Sequence, residues 1–144
     1  MAKITLTAAL TNEYSTLFDT CIIDKPKEQE VDRTAGKIAS NQVRYERVSA
    51  LVGMPWYLVG IIHCMEASLR FDRHLHNGDR LTARTVHVPR ARPIKGNPPF
   101  TWEESAEDAL RLQGFDKGSD WSIPGILFKL EGYNGFGYRM KHPE

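Results

Sequence analysis

The chain has 144 residues, enough for one domain with a sizeable core, and its 41% apolar and 26% charged residues are those of an ordinary globule. A formal net charge of +1, with basic residues dispersed apart from "RTVHVPRARPIK" at 84–95, gives little reason to expect nucleic acid as a partner. Cys21 and Cys64 form no metal or redox motif, and nothing in their placement favours a disulfide.

The opening "MAKITLTAALTNEY" holds no long apolar segment and no cleavage site, and no run reaches the length of a membrane span. Synthesis in the cytoplasm, without stable membrane insertion, is therefore expected. Leu6, Leu10, Tyr14, Leu17, Phe18 and Cys21 recur at helical spacing and predict a first helix over about 6–22. "IDKPKEQE" breaks it. A second helical region is predicted over about 27–52, with Val31, Ala35, Ile38, Gln42, Tyr45 and Ser49 on one stripe that is interrupted weakly at Ser40-Asn41. Gly53 suits its stop and Pro55 suits the start of the next helix.

Residues 55–69 are apolar nearly all round, through Trp56, Leu58, Val59, Ile61, Ile62, Cys64 and Met65, which predicts a buried central helix. The period then changes. Asn77-Gly78, followed by alternating residues, predicts a small β-hairpin, and "RARPIKGNPPF" reads as a proline-rich loop. "TWEESAEDALRLQGF" predicts a helix with Thr101 and Glu104 as a capping box and Gly114 as its stop. Pro124 opens a last helix, and the chain closes on "EGYNGFGYRMKHPE". The expected fold class is α+β, mainly α, as a single domain over residues 1–144.

The chemistry centres on Glu66, at the end of the apolar helix. Its neighbours one and two turns back are His63, Ile62 and Val59, none of them a Lys or Arg. An acid against such neighbours resists ionisation, and a carboxyl still protonated near neutral pH is what a general acid needs. The plainer alternative is a solvated helix end, with Glu66 paired to Arg70 or Arg73. In the hairpin, Asp79 is a candidate second carboxylate, as base or nucleophile according to separation, or else a turn residue after Asn-Gly. Thr82 or Thr85 is a candidate for holding a water.

"MEASLRFDRHLHNGD" and "EGYNGFGY" carry a family likeness. With "YERVSALVGMPWYLVGIIHC", "FTWEESAEDAL" and "WSIPGILFKLEGYNGFGYR", they make about residues 40–140 resemble lysozyme-family peptidoglycan hydrolases, found as phage endolysins and in bacterial genomes. The first segment is similar to the Glu-x-Ser-x-x-Phe signature around the acid of lysozymes and lytic transglycosylases. The second is similar to the Tyr-Asn-Gly segment lining the latter's sugar cleft. The resemblance implies a lysozyme-like fold with a buried central helix and a small β lobe. It implies cleavage of the β-1,4 bond between N-acetylmuramic acid and N-acetylglucosamine, with Glu66 as proton donor and no cofactor. It further implies that the partner is the glycan strand of peptidoglycan, that the protein is a monomer, and that it waits in the host cytoplasm until released to the wall. If no second carboxylate exists, a lytic transglycosylase route needs only one acid.

Tyr133, Asn134 and Tyr138 are candidates for the sugar cleft, since rings stack on sugar faces and an Asn amide bonds an N-acetyl carbonyl. The alternative is a glycine-rich helix exit. His74 is a further candidate for sugar contact. His74, His76 and His87 with Asp79 also raise a zinc site, as in a wall amidase or peptidase, but their spacing matches no strong zinc signature and no metal is expected. A non-catalytic wall-binding module is the remaining class.

Overall fold

The computed structural model describes residues 3–141. They form α1 (Ala8–Asp19), a 3₁₀ turn (Lys25–Lys27), α2 (Glu28–Ser40), α3 (Gln42–Val52), α4 (Trp56–Ala67), α5 (Trp102–Leu112), α6 (Ile123–Asn134) and α7 (Gly137–Lys141). The mainly helical expectation holds. The chain makes two compact units, one from residues 1–28 and 120–144, the other from residues 29–119.

In the unit made from the two ends, α1 packs on α6. Thr7 caps α1 by accepting from the Leu10 amide, and Ser122 caps α6 by accepting from the Gly125 amide. Tyr14 meets Phe128 edge-on at 6.5 Å, and Phe128 meets Phe136 at 5.1 Å. The Tyr14 hydroxyl donates to Glu131, and Arg139 of α7 bridges Glu131 and Glu13.

In the larger unit, the helical region expected over 27–52 is two helices, α2 and α3, and the weak interruption expected at 40–41 is a full break at Asn41. α3 and α4 meet at 107°. Gly53 makes the corner with φ +85°, and a Cβ there would lie 2.8 Å from Lys117. α4 buries Leu58, Val59, Gly60, Ile62, His63 and Ala67, while Tyr57 and Met65 on the same helix are exposed. At Gly60 a Cβ would come within 2.5 Å of Ile38 and 3.1 Å of the Tyr45 ring, so the missing side chain lets α2 and α3 approach. Trp102, Ala106, Ala109 and Leu110 of α5 complete the core, and α5 carries the expected capping box between Thr101 and Glu104. Arg44 of α3 ties α5 through Glu103 at 2.6 Å, with its guanidinium 4.1 Å from the Phe71 ring centre.

The β-hairpin is the main departure. Among the described residues there is no strand, only an isolated antiparallel bridge between Arg73 and Arg80. The segment between α4 and α5 combines scattered backbone bonds, such as the His74 amide to the Asp79 carbonyl and the Leu81 amide to the Asp72 carbonyl, with side-chain bonds to backbone groups. Asn77 donates to the carbonyls of His87 and Val88, Asp79 accepts from the amides of Val86 and His87, and Arg84 donates to the carbonyls of Pro93 and Gly96. Among the described residues no single helix is long and apolar enough to cross a membrane.

Candidate functional site

α4 ends abruptly just after Glu66. Ser68 and Leu69 both take left-handed backbone, with φ of 50° and 61°, which costs about 1–3 kcal/mol per residue for side chains of this kind. The reversal is held by His63, which is fully buried. Its Nε2 lies 3.0 Å from the Arg70 carbonyl and its Nδ1 lies 2.9 Å from the Tyr45 hydroxyl. A neutral ring donating to Arg70 and accepting from Tyr45 satisfies both contacts. Burial pushes the His63 pKa down, which agrees with that form.

Glu66 is half-buried beside this turn. Among the described residues no hydrogen bond and no ion pair engages its carboxyl. The expected alternative partners are taken elsewhere: Arg70 binds Asp72 at 2.9 Å, and Arg73 lies 3.9 Å from Asp72 and donates to the Gly78 carbonyl. Burial alone moves the carboxyl, holding its proton above the ordinary carboxylate range. The Asn-Gly-Asp turn closes over the same helix end. Gly78 has φ +82°, and a Cβ there would sit 3.1 Å from the Glu66 carbonyl oxygen.

Asp79 is placed beside Gly78, but as a clamp. One of its oxygens accepts from the amides of Val86 and His87 at 2.9 and 3.0 Å, and the other meets His87 Nδ1 at 2.7 Å. Burial opposes the charge, yet the His87 and Val86 donors outweigh it and push the pKa down to about 2. A carboxylate so fully engaged is a weak proton acceptor.

His74 corrects the expectation of sugar contact. It is fully buried, with Nδ1 2.8 Å from the Ser105 hydroxyl and Nε2 2.7 Å from the Ala83 carbonyl. His76 is also buried, bound to Asp108 at 2.6 Å, and Asp108 binds Arg92 at 2.7 Å. Ser105, His76 and Asp108 stand in a row like a nucleophile, base and carboxylate, but the Ser105 hydroxyl is sealed in the core and shared with His74. These four residues hold α5 against the turn; none was readable as a network, because "HLH" and "ESAED" lie 29 to 32 residues apart along the chain. Among the described residues no three His, Cys, Asp or Glu side chains are arranged to hold a metal ion. Both cysteines are free.

Thr82 is exposed, whereas Thr85 is buried and donates to the Pro89 carbonyl while accepting from the Arg92 amide. Tyr133, Asn134 and Tyr138 belong to the unit made from the chain ends: Tyr133 is half-buried on α6, Asn134 is its exposed last residue, and Tyr138 is exposed on α7. No protein-family model, curated protein or solved structure matches the chain.

Proposed function

We propose that the protein cleaves the glycan strands of peptidoglycan, as a lysozyme-like enzyme with Glu66 as its proton donor. The supporting observation is the Glu66 carboxyl itself: half-buried, unpartnered among the described residues and held toward its protonated form by burial. Proteins seldom place a carboxyl so, since an unpaired acid against apolar neighbours destabilises the fold. The left-handed pair Ser68-Leu69 beside it is a second departure from local ease at the same place. The likeness of "MEASLRFDRHLHNGD" to the acid-bearing segment of muramidases supplies the substrate class.

In this reading Glu66 protonates the glycosidic oxygen as the bond to the muramic carbon breaks. The engagement of Asp79 favours a route with a single acid: the substrate's N-acetyl carbonyl oxygen bonds to the anomeric carbon as the protonated glycosidic oxygen leaves, and the Glu66 carboxylate then takes the proton of the sugar hydroxyl or water that displaces it. Tyr133, Asn134 and Tyr138 remain proposed sugar contacts on the strength of the same resemblance. Mass spectrometry of purified peptidoglycan after digestion tests the proposal. Fragments ending in 1,6-anhydro-muramic acid fit the single-acid route, and reducing muramic ends fit hydrolysis. Free stem peptides with intact glycan, or an unaltered wall, overturn it.

A further inference from the structure

A cleft of about 440 Å³ lies within the larger unit, away from the proton donor, between α5 and the segment 92–96. Its size is that of a small-molecule site. One wall is the α5 face that carries Glu104, Glu107 and Asp108. The other presents Ile94, which is 68% exposed, and Lys95.

That second wall is fixed in place. Arg84 donates to the carbonyls at Pro93 and Gly96, and Thr85 exchanges two hydrogen bonds with the Arg92 backbone, each of 2.9 Å. On the α5 wall Asp108 is already satisfied, taking two hydrogen bonds from Arg92 and one from His76. Two charges are not. Among the described residues Lys95 makes no hydrogen bond or ion pair, and Glu104 uses only one carboxylate oxygen, for the helix cap. No salt bridge joins Lys95 to Glu104 or Glu107, although the same cleft holds all three. Unlike charges kept apart across a preformed gap, with Ile94 and Pro93 between, are complementary to a ligand that carries both signs and an apolar stem.

We propose that this cleft binds a short peptide bearing an ammonium and a carboxylate, with Lys95 meeting the carboxylate and Glu104 the ammonium. The stem peptides of peptidoglycan are of this class; that identification rests on the glycan-strand reading, which would make the cleft a second hold on the same substrate.

The test is a calorimetric titration of the full chain with a synthetic stem tetrapeptide ending in D-alanine. The same peptide acetylated on its amines or amidated on its carboxylates serves as control. Binding should weaken at least about tenfold with either blocked peptide, and at least about tenfold in Lys95→Glu and in Glu104→Gln. Gln keeps the capping geometry, so Glu104→Gln should stay folded. No binding of the tetrapeptide, or binding indifferent to both variants, overturns the proposal. An unrelated zwitterionic tetrapeptide that binds equally well upholds the class and overturns the stem-peptide identity. The titration has no catalytic step, so glycan cleavage without peptide binding would remove the cleft proposal alone.

Discussion

At the scale of single residues, two carboxylates one short loop apart are driven in opposite directions by their surroundings. Glu66 is half-buried and has no partner among the described residues, so its proton is held. Asp79 has three donors, so its proton is lost down to a pKa of about 2. The activity should therefore depend on a protonated Glu66 and decline as pH rises through its raised pKa, above the ordinary Glu value of about 4.3. A pH–rate profile on peptidoglycan checks this, and a rate that climbs across that window would contradict it. Asp79→Asn should lower stability by about 1–2 kcal/mol through loss of charge-assisted bonds to the 86–87 segment. Its activity per folded molecule should stay within about tenfold of the parent, and thermal melts with initial rates on one preparation decide between clamp and catalyst. The oddity of Glu66 was legible in the sequence, because its helical neighbours could be counted. The clamp role of Asp79 was not, because its partners Val86 and His87 reach it through a loop with no regular spacing.

At the scale of elements, helices were legible where caps and periodicity agreed, as at Thr101–Glu104 and Gly53–Pro55. The hairpin is the main departure. Asn77-Gly78 is good turn chemistry, but the residues after it donate and accept through Asn77, Asp79, Arg84 and Thr85, and pairing stops at the single Arg73–Arg80 bridge. Helix packing was equally invisible at Gly60. By propensity Ala would improve α4 by about 1 kcal/mol. The contacts with Ile38 and Tyr45 reverse that expectation, and Gly60→Ala should destabilise by about 1–3 kcal/mol through overpacking. Urea unfolding reads the sign directly; a stabilised variant would mean that α2 and α3 can withdraw from α4 without penalty.

For the whole molecule, two buried histidines govern how stability changes with pH. Burial lowers the pKa of His63, and it lowers that of His76 against the opposing pull of Asp108. The folded state then binds fewer protons than the unfolded chain once pH drops below about 6.5, the unfolded histidine value. Stability is fully present above that pH and is lost as pH falls toward the folded values. Asp79 adds a loss of the same sign lower down, between about 4 and 2. Glu66 has the opposite sign, because its folded pKa is raised: it costs stability as pH rises. With Glu66→Gln removing that opposing effect, unfolding free energies at pH 7.5 and 5.5 should differ, with the lower pH less stable, and equal values would contradict the buried neutral rings.

Glu66→Gln tests the central claim most directly, with lysis of purified peptidoglycan and melting temperature measured on the same preparation. Gln keeps the shape and removes the transferable proton. The account predicts a fall in lysis of at least about a hundredfold, together with an unchanged or higher melting temperature at neutral pH, because a half-buried acid without a partner among the described residues has been replaced by a neutral side chain. Near-native lysis by a folded Glu66→Gln protein would contradict it.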